Sequence, residues 1–253
     1  MKDAFCYILE NYKSASKKID GSTQLSKIIT RDLPEEIKTF LNRNDIKVMG
    51  SMGKGITTLY PWITILNESI TKSPQYGIYI GYLFKSDMSG FYLTLTQGIT
   101  NFKNLFSRDA YTKAQKTVKY FQSQIESQEF ETYPIDLNSE RNDRGYGYEQ
   151  TTIISKFYSY NNIEEERLRY DLLTMLKIYD DIVQHMSSRN YDQLIKDVLE
   201  HENRPTVKVD DAITEISQTL NDDNQSYFEQ ILEEKVPFVD RSKKIQKNYS
   251  TNY

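Results

Sequence analysis

Residues 49–65, MGSMGKGITTLYPWITI, place three glycines and a lysine just before an apolar run. Glycine-rich loops ahead of apolar segments cradle phosphates in nucleotide-binding proteins. That motif needs Gly, four residues, then Gly-Lys-Ser/Thr opening a helix. Here Gly53-Lys54 is followed by Gly55, and Val48 stands where the leading glycine belongs. Pro61 also argues against a helix opening there. The spacing therefore argues against a nucleotide site. Other catalytic chemistry is thinly supplied. His185 and His201 are the only histidines and Cys6 the only cysteine, so no disulfide or Cys/His zinc pattern forms within the chain. Asp136, Glu140 and Asp143 are the carboxylates a metal-dependent nuclease could use, but their stretch carries no strand pattern. No catalytic residue, metal or cofactor is expected.

The glycine loop sits between β-rich segments. Lys47-Val48-Met49 and Tyr60–Leu66 read as strands joined by it. Residues 77–84 form a further strand, Ser86–Gly90 a turn and 91–98 its partner, so 46–98 reads as an antiparallel meander. Helices are expected over 3–18, from Leu33 to about Asn42 with Pro34 and two acids in the first turn, over 107–129 and over 163–187. Leu25–Ile29 reads as a short helical turn, 133–150 as irregular and 151–160 as a last strand. Shorter helices are expected at 190–201 and 208–234, then a basic, linker-like tail at 239–253. The fold class is α+β: an antiparallel or mixed sheet flanked by helices, followed by a helical C-terminal extension. The expected division is 1–187 and 188–253.

The chain has 253 residues and a net charge of −4, unevenly spread. Residues 1–120 carry 17 Lys and Arg against 10 Asp and Glu, while 121–253 carry 15 against 26. A basic front half suits a polyanionic partner, although ordinary fluctuation gives such a skew too. The N-terminus lacks the unbroken apolar core of a signal peptide and no stretch approaches a membrane span, so a cytoplasmic protein is expected.

Several blocks in order resemble the N-terminal DNA-binding domain of McrB-type restriction proteins. They are Gly50–Gly55, Pro61–Leu66, Gln75–Tyr79 with Tyr82–Phe84, Tyr92–Leu95 and Gln97-Gly98. The resemblance covers roughly residues 1–185. It implies membership of a modification-dependent (type IV) restriction system, with recognition of methylated cytosine in double-stranded DNA by base flipping. It also implies partnership with an AAA+ GTPase or a nuclease, as a domain or a separate subunit. The rival readings are a nuclease subunit with its own active site, and a protein-interaction module built on the acidic helices at 163–234.

Residue by residue, the resemblance puts Lys54, between Gly53 and Gly55, where the family presents a wedge into the gap left by the flipped base. Lysine fills a stack less well than an aromatic ring and suits a phosphate or base edge; a plain turn with a solvated lysine is the alternative. The modified-base pocket carries over to Tyr79 and Leu83, whose even spacing puts them on one face of a strand. Without the resemblance, both read as sheet core. Arg144-Gly145-Tyr146-Gly147-Tyr148 supplies a third wall through Tyr146 or Tyr148, with the glycines exposing the ring and freeing its backbone. Trp62 reads as core. Candidate phosphate contacts are Lys47, Lys54, Lys72, Lys85 and Arg144. The sequence leaves open 5-methylcytosine, 5-hydroxymethylcytosine, N4-methylcytosine and N6-methyladenine.

Overall fold

The computed structural model describes residues 1–201 apart from 16–17, 142 and 187–189. Two compact units divide the chain, Met1–Leu199 and Glu200–Tyr253. The helix at 208–234 and the tail at 239–253 lie outside the described residues.

The first unit is built on a five-stranded sheet whose strands lie in chain order and pair antiparallel throughout. They are β1 (Ile46–Lys54), β2 (Ile56–Asn67), β3 (Ile78–Phe84), β4 (Gly90–Gln97) and β5 (Thr152–Ser159). The meander expected over 46–98 is present, and the final strand joins it beside β4. All seven residues of β3 are buried, so the central strand is covered on both faces.

Even-numbered β3 residues face the main core. There Phe5, from α1 (Lys2–Asn11), stacks on Phe91 with centroids 4.3 Å apart and lies 4.8 Å from Tyr82. Aromatic pairs at such distances add to the burial of their large surfaces. Across the same face runs α7 (Glu165–Met186), with Leu168, Leu172, Met175, Tyr179, Ile182 and Met186 buried at alternating four- and three-residue spacing. Tyr179 donates its hydroxyl to the Ile78 carbonyl at 2.7 Å and accepts the Asn67 N–H at 3.2 Å. Asp171, on the same helix, is fully buried. It accepts from the Tyr158 hydroxyl at 2.6 Å, Lys156 Nζ at 3.0 Å and Arg167 Nε at 2.9 Å, riveting α7 to β5. The short α2 (Gln24–Lys27) runs through a π-turn into α3 (Leu33–Leu41), which carries Pro34, Glu35 and Glu36 in its first turn as expected and ends on a left-handed Asn42.

Three expectations are corrected. The helix expected over 3–18 stops at Asn11; after a 3₁₀ turn the chain extends so that Lys18 bridges Ile56 of β2. The helix expected over 107–129 is α5 (Ala110–Ser123), and a separate α4 (Ile99–Phe106) precedes it. The irregular stretch 133–150 ends in a helix, α6 (Arg144–Thr151). The last helix of the unit, α8 (Tyr191–His201), is tied to β4 by the Tyr191 hydroxyl on Gln97 Oε1 at 3.0 Å.

Asp171→Ala removes the acceptor of a buried tyrosine hydroxyl and the partner of two cations. Breaking a buried charged network from one side costs roughly 3–5 kcal/mol. Urea denaturation is expected to show a loss of that order; a change below about 1 kcal/mol would mean the network adds little.

Candidate nucleic-acid interface

Two structural features carry the residues singled out above. The first is a ribbon. Strand β3 pairs with β2 only from Trp62 to Ile65, so the outer halves of β1 and β2 run on as two strands alone. The ribbon turns over Gly53-Lys54-Gly55. Gly53 has φ 119° and Gly55 φ 78°, and a Cβ on Gly53 would stand 2.1 Å from the Ile56 carbonyl oxygen. Only glycine fits such a turn. Lys54 is exposed opposite Ile56, which is itself 72% exposed, and Leu59 is 60% exposed. The N-terminal segment braces the tip: Ile19 N–H reaches the Gly55 carbonyl at 3.3 Å, and the Tyr12 hydroxyl donates to the Thr58 carbonyl at 2.9 Å.

The second feature is the sheet face opposite α1 and α7. Tyr79, Gly81 and Leu83 alternate onto it from β3. The register sets Trp62 and Thr64 of β2, and Tyr92, Thr94 and Thr96 of β4, beside them. Tyr79 and Leu83 stand about 13 Å apart along the strand at ~3.3 Å per residue. Between them Gly81 leaves a position with no side chain, flanked by Thr64 and Thr94. The Thr94 hydroxyl donates to the Gly81 carbonyl at 2.9 Å and the Thr64 hydroxyl to the Met49 carbonyl at 3.4 Å. A glycine inside a strand marks a place where another group can come close.

Helix α6 covers this face, and its glycines act differently from the expectation. A Cβ on Gly145 would stand 2.7 Å from the Tyr60 ring, and one on Gly147 3.1 Å from Ile99. They allow close helix packing; they do not loosen a loop around Tyr146. Tyr146 turns toward α5 and meets the Tyr111 ring edge-on at 5.1 Å. Tyr148 instead joins a small apolar cluster with Tyr60, Leu83, Ile135 and Leu137, against which Trp62 and Tyr92 also pack. Burial pushes the Tyr148 phenol up to about 12, with Arg144 opposing, and raises Tyr79 with a contribution from Tyr148. Leu83 and Tyr148 thus share one cluster, Tyr79 lies farther along the same strand face, and Tyr146 is not among them. Both Tyr79 and Leu83 are only 1% exposed, so the face is closed. Trp62 is half-buried and stands directly across from Leu83 on this face, outside the main core. The alternation Tyr60-Trp62-Thr64 against Ile63-Ile65 was a visible sign of its side of the sheet, but its neighbour depended on the register.

The candidate cations divide. Lys54, Lys85 and Arg144 lie toward the ribbon end of the sheet. Lys47 pairs across from Leu66 and Lys72 lies in the β2–β3 loop, both toward the other end. Lys85 is committed within the fold: its Nζ lies 3.2 Å from Asp136 Oδ2 and 5.9 Å above the Phe157 ring. The Asn138 N–H and Lys85 hold the Asp136 carboxyl below the usual range. Asp143 accepts the Tyr60 hydroxyl at 2.8 Å, anchoring the start of α6. Glu149 accepts the Leu137 N–H at 2.8 Å and the Ser139 hydroxyl at 2.7 Å. These carboxylates hold the loop before α6 in place. Among the described residues no group of three or more His, Cys, Asp or Glu is arranged to hold a metal ion.

Among the described residues no helix is long and apolar enough to cross a membrane. No curated protein matches the chain. The family profile described as MrcB-like, N-terminal domain matches residues 7–184, which takes in the whole sheet, the ribbon and α6. With that match over most of its length, the chain belongs to the MrcB-like N-terminal domain family, a restriction-related class of DNA-binding modules.

Proposed function

We propose that this chain reads modified cytosine in duplex DNA, flipping the base out of the stack and holding it over Gly81 between Tyr79 and Leu83. The observation that carries this reading is the strand position without a side chain, ringed by Trp62, Tyr79, Leu83, Tyr92 and Tyr148 on an uncharged face. A flipped base recovers its unstacking energy, a few kcal/mol, by stacking on aromatic rings and bonding along its edge. Entry requires the cover to move, because Tyr79 and Leu83 are shut off from solvent. Tyr148 on α6 and the half-buried Trp62 are the side chains positioned to give way. The chain itself binds in the cytoplasm; its partners are an AAA+ GTPase motor and/or a nuclease, as a further domain or a subunit, with the nuclease doing the cutting.

The test is a fluorescence-anisotropy titration at fixed moderate salt. It uses one duplex in matched forms: plain, 5-methyl-, 5-hydroxymethyl- and N4-methylcytosine, and N6-methyladenine. Preference for a modified cytosine is expected; equal binding to all forms would end the reader hypothesis. Trp62 is the sole tryptophan, so its emission should respond to the preferred duplex and not to the plain one.

Tyr79→Leu keeps most of the buried volume and removes the ring. Loss of one base–aromatic stack is worth about 1–3 kcal/mol, so affinity for the modified duplex should fall about tenfold or more. Binding to the plain duplex should hardly change, and equal losses on both would remove Tyr79 from the pocket. Lys54→Ala should reduce the slope of log K against log salt by about one phosphate contact, or ~0.9. An unaltered slope would make Lys54 a base contact or a bystander.

A further inference from the structure

The ribbon tip exposes an apolar group where solvent would favour a polar one. Ile56 is the most exposed large aliphatic side chain of the described residues, at 72%, and it follows directly on the turn glycine. The strand is not regular on the way to this tip: the pairing passes from Ser51↔Trp62 to Gly53↔Thr57, so four β2 residues, 58–61, stand opposite one β1 residue. Beyond that bulge Ile56 closes the ribbon beside the turn, opposite Lys54, and the exposed Leu59 lies within the bulged stretch.

The charge around this group is of one sign. Residues 46–66 hold Lys47 and Lys54 and no acid, and residues 11–19 hold three lysines and no acid. The fold brings the two segments together at the tip, where Lys18 bridges Ile56 and Lys54 lies opposite it. An exposed branched aliphatic chain between backbone-anchored lysines matches a duplex with a disturbed stack. The lysines meet the phosphates, and the aliphatic group enters between bases, as apolar wedges do in kinked DNA. Lysine itself would have to shed its hydration to enter a stack; isoleucine does not.

We propose that Ile56, and not Lys54, is the group that enters the base stack when this protein binds DNA, with Lys54 and Lys18 on the flanking phosphates. The proposal rests on the DNA-flipping reading above and names the residue that holds the gap open. Both glycines are needed for it: Gly53 and Gly55 make the turn tight enough to leave Ile56 at the end of the ribbon.

The test uses the full chain and a duplex with 2-aminopurine next to the modified cytosine, whose fluorescence rises when the stack opens. Ile56→Ala removes a solvent-exposed side chain, so folding should be preserved; thermal melting checks that. Its affinity for the modified duplex is expected to fall about tenfold with loss of the brightening. Ile56→Met, which restores apolar length, should bring both back to within about threefold of wild type. Lys54→Ala should brighten normally while showing the reduced salt slope. If Ile56→Ala brightens and binds as wild type does, Ile56 is not the wedge, whatever the fate of the pocket. If wild type brightens with no duplex, the flipping reading fails and takes the wedge with it. If Lys54→Ala alone abolishes brightening, the wedge is Lys54.

Discussion

The two-residue alternation of β3 is the constraint on which the rest depends. A strand buried on both faces must send successive side chains in opposite directions. Ile78, Ile80, Tyr82 and Phe84 go to the aromatic core under α1 and α7, and Tyr79, Gly81 and Leu83 go to the face under α6. A shift of one residue against β2 or β4 would exchange these sets and put Gly81 in the core. Large residues hold the register on the core side: the rings of Phe5, Tyr82 and Phe91 pack on one another with centroids 4.3 to 5.9 Å apart. The rigidity of one face is thus what positions the other.

The two faces are closed by different means. Over the core, α7 is fixed by a long stripe of apolar side chains and by buried Asp171 with its three donors. Over the pocket face, α6 is eight residues long and carries two glycines, each costing about 1 kcal/mol of helix propensity relative to alanine. It is held mainly at its ends and from the loop before it. Tyr60 bonds Asp143, Glu149 bonds back to Leu137 and Ser139, and the Thr151 hydroxyl meets that of Thr96 at 3.1 Å. Its glycines also let it pack closely on Tyr60 and Ile99, and Tyr146 meets Tyr111 on α5, so polar contacts and close packing hold it together.

Much of this was legible in the sequence, and the misses have causes. The β3–β4 hairpin announced itself by β-rich runs on either side of Ser86–Gly90, and α7 by its spacing. Helix α4 was missed because eight residues after Gly98 are too few to display a period. Helix α6 was missed because Arg-Gly-Tyr-Gly-Tyr has poor intrinsic helicity; close contacts with Tyr60 and Ile99, invisible locally, decide its conformation. The first helix was read too far because Lys, Ser and Ala tolerate helix, while a bridge to Ile56 holds the chain extended. At the site, Tyr79 and Leu83 needed only parity to be placed together. Trp62 needed the register, which no single segment contains. Choosing between Tyr146 and Tyr148 needed the direction of a helix that had not been recognised.

The chemistry of the closed face limits what it can discriminate. Around Gly81 stand two threonines whose hydroxyls already donate to backbone carbonyls, with aromatic rings and a leucine. The raised phenols of Tyr79 and Tyr148 stay protonated at physiological pH. A base held there, as proposed, would meet a neutral, shaped surface whose grip does not vary with pH near neutrality. Such a surface measures size. One extra methyl in an apolar pocket is worth roughly 1–3 kcal/mol, or about 10- to 200-fold. On the proposed reading, stronger discrimination would have to come from the cost of opening the duplex at the ribbon, or from a partner that acts only on the flipped complex. The pocket and the ribbon share β2, so base entry and stack opening would be coupled through one strand. That strand is anchored to the sheet from Trp62 inward and projects as a ribbon from Tyr60 outward.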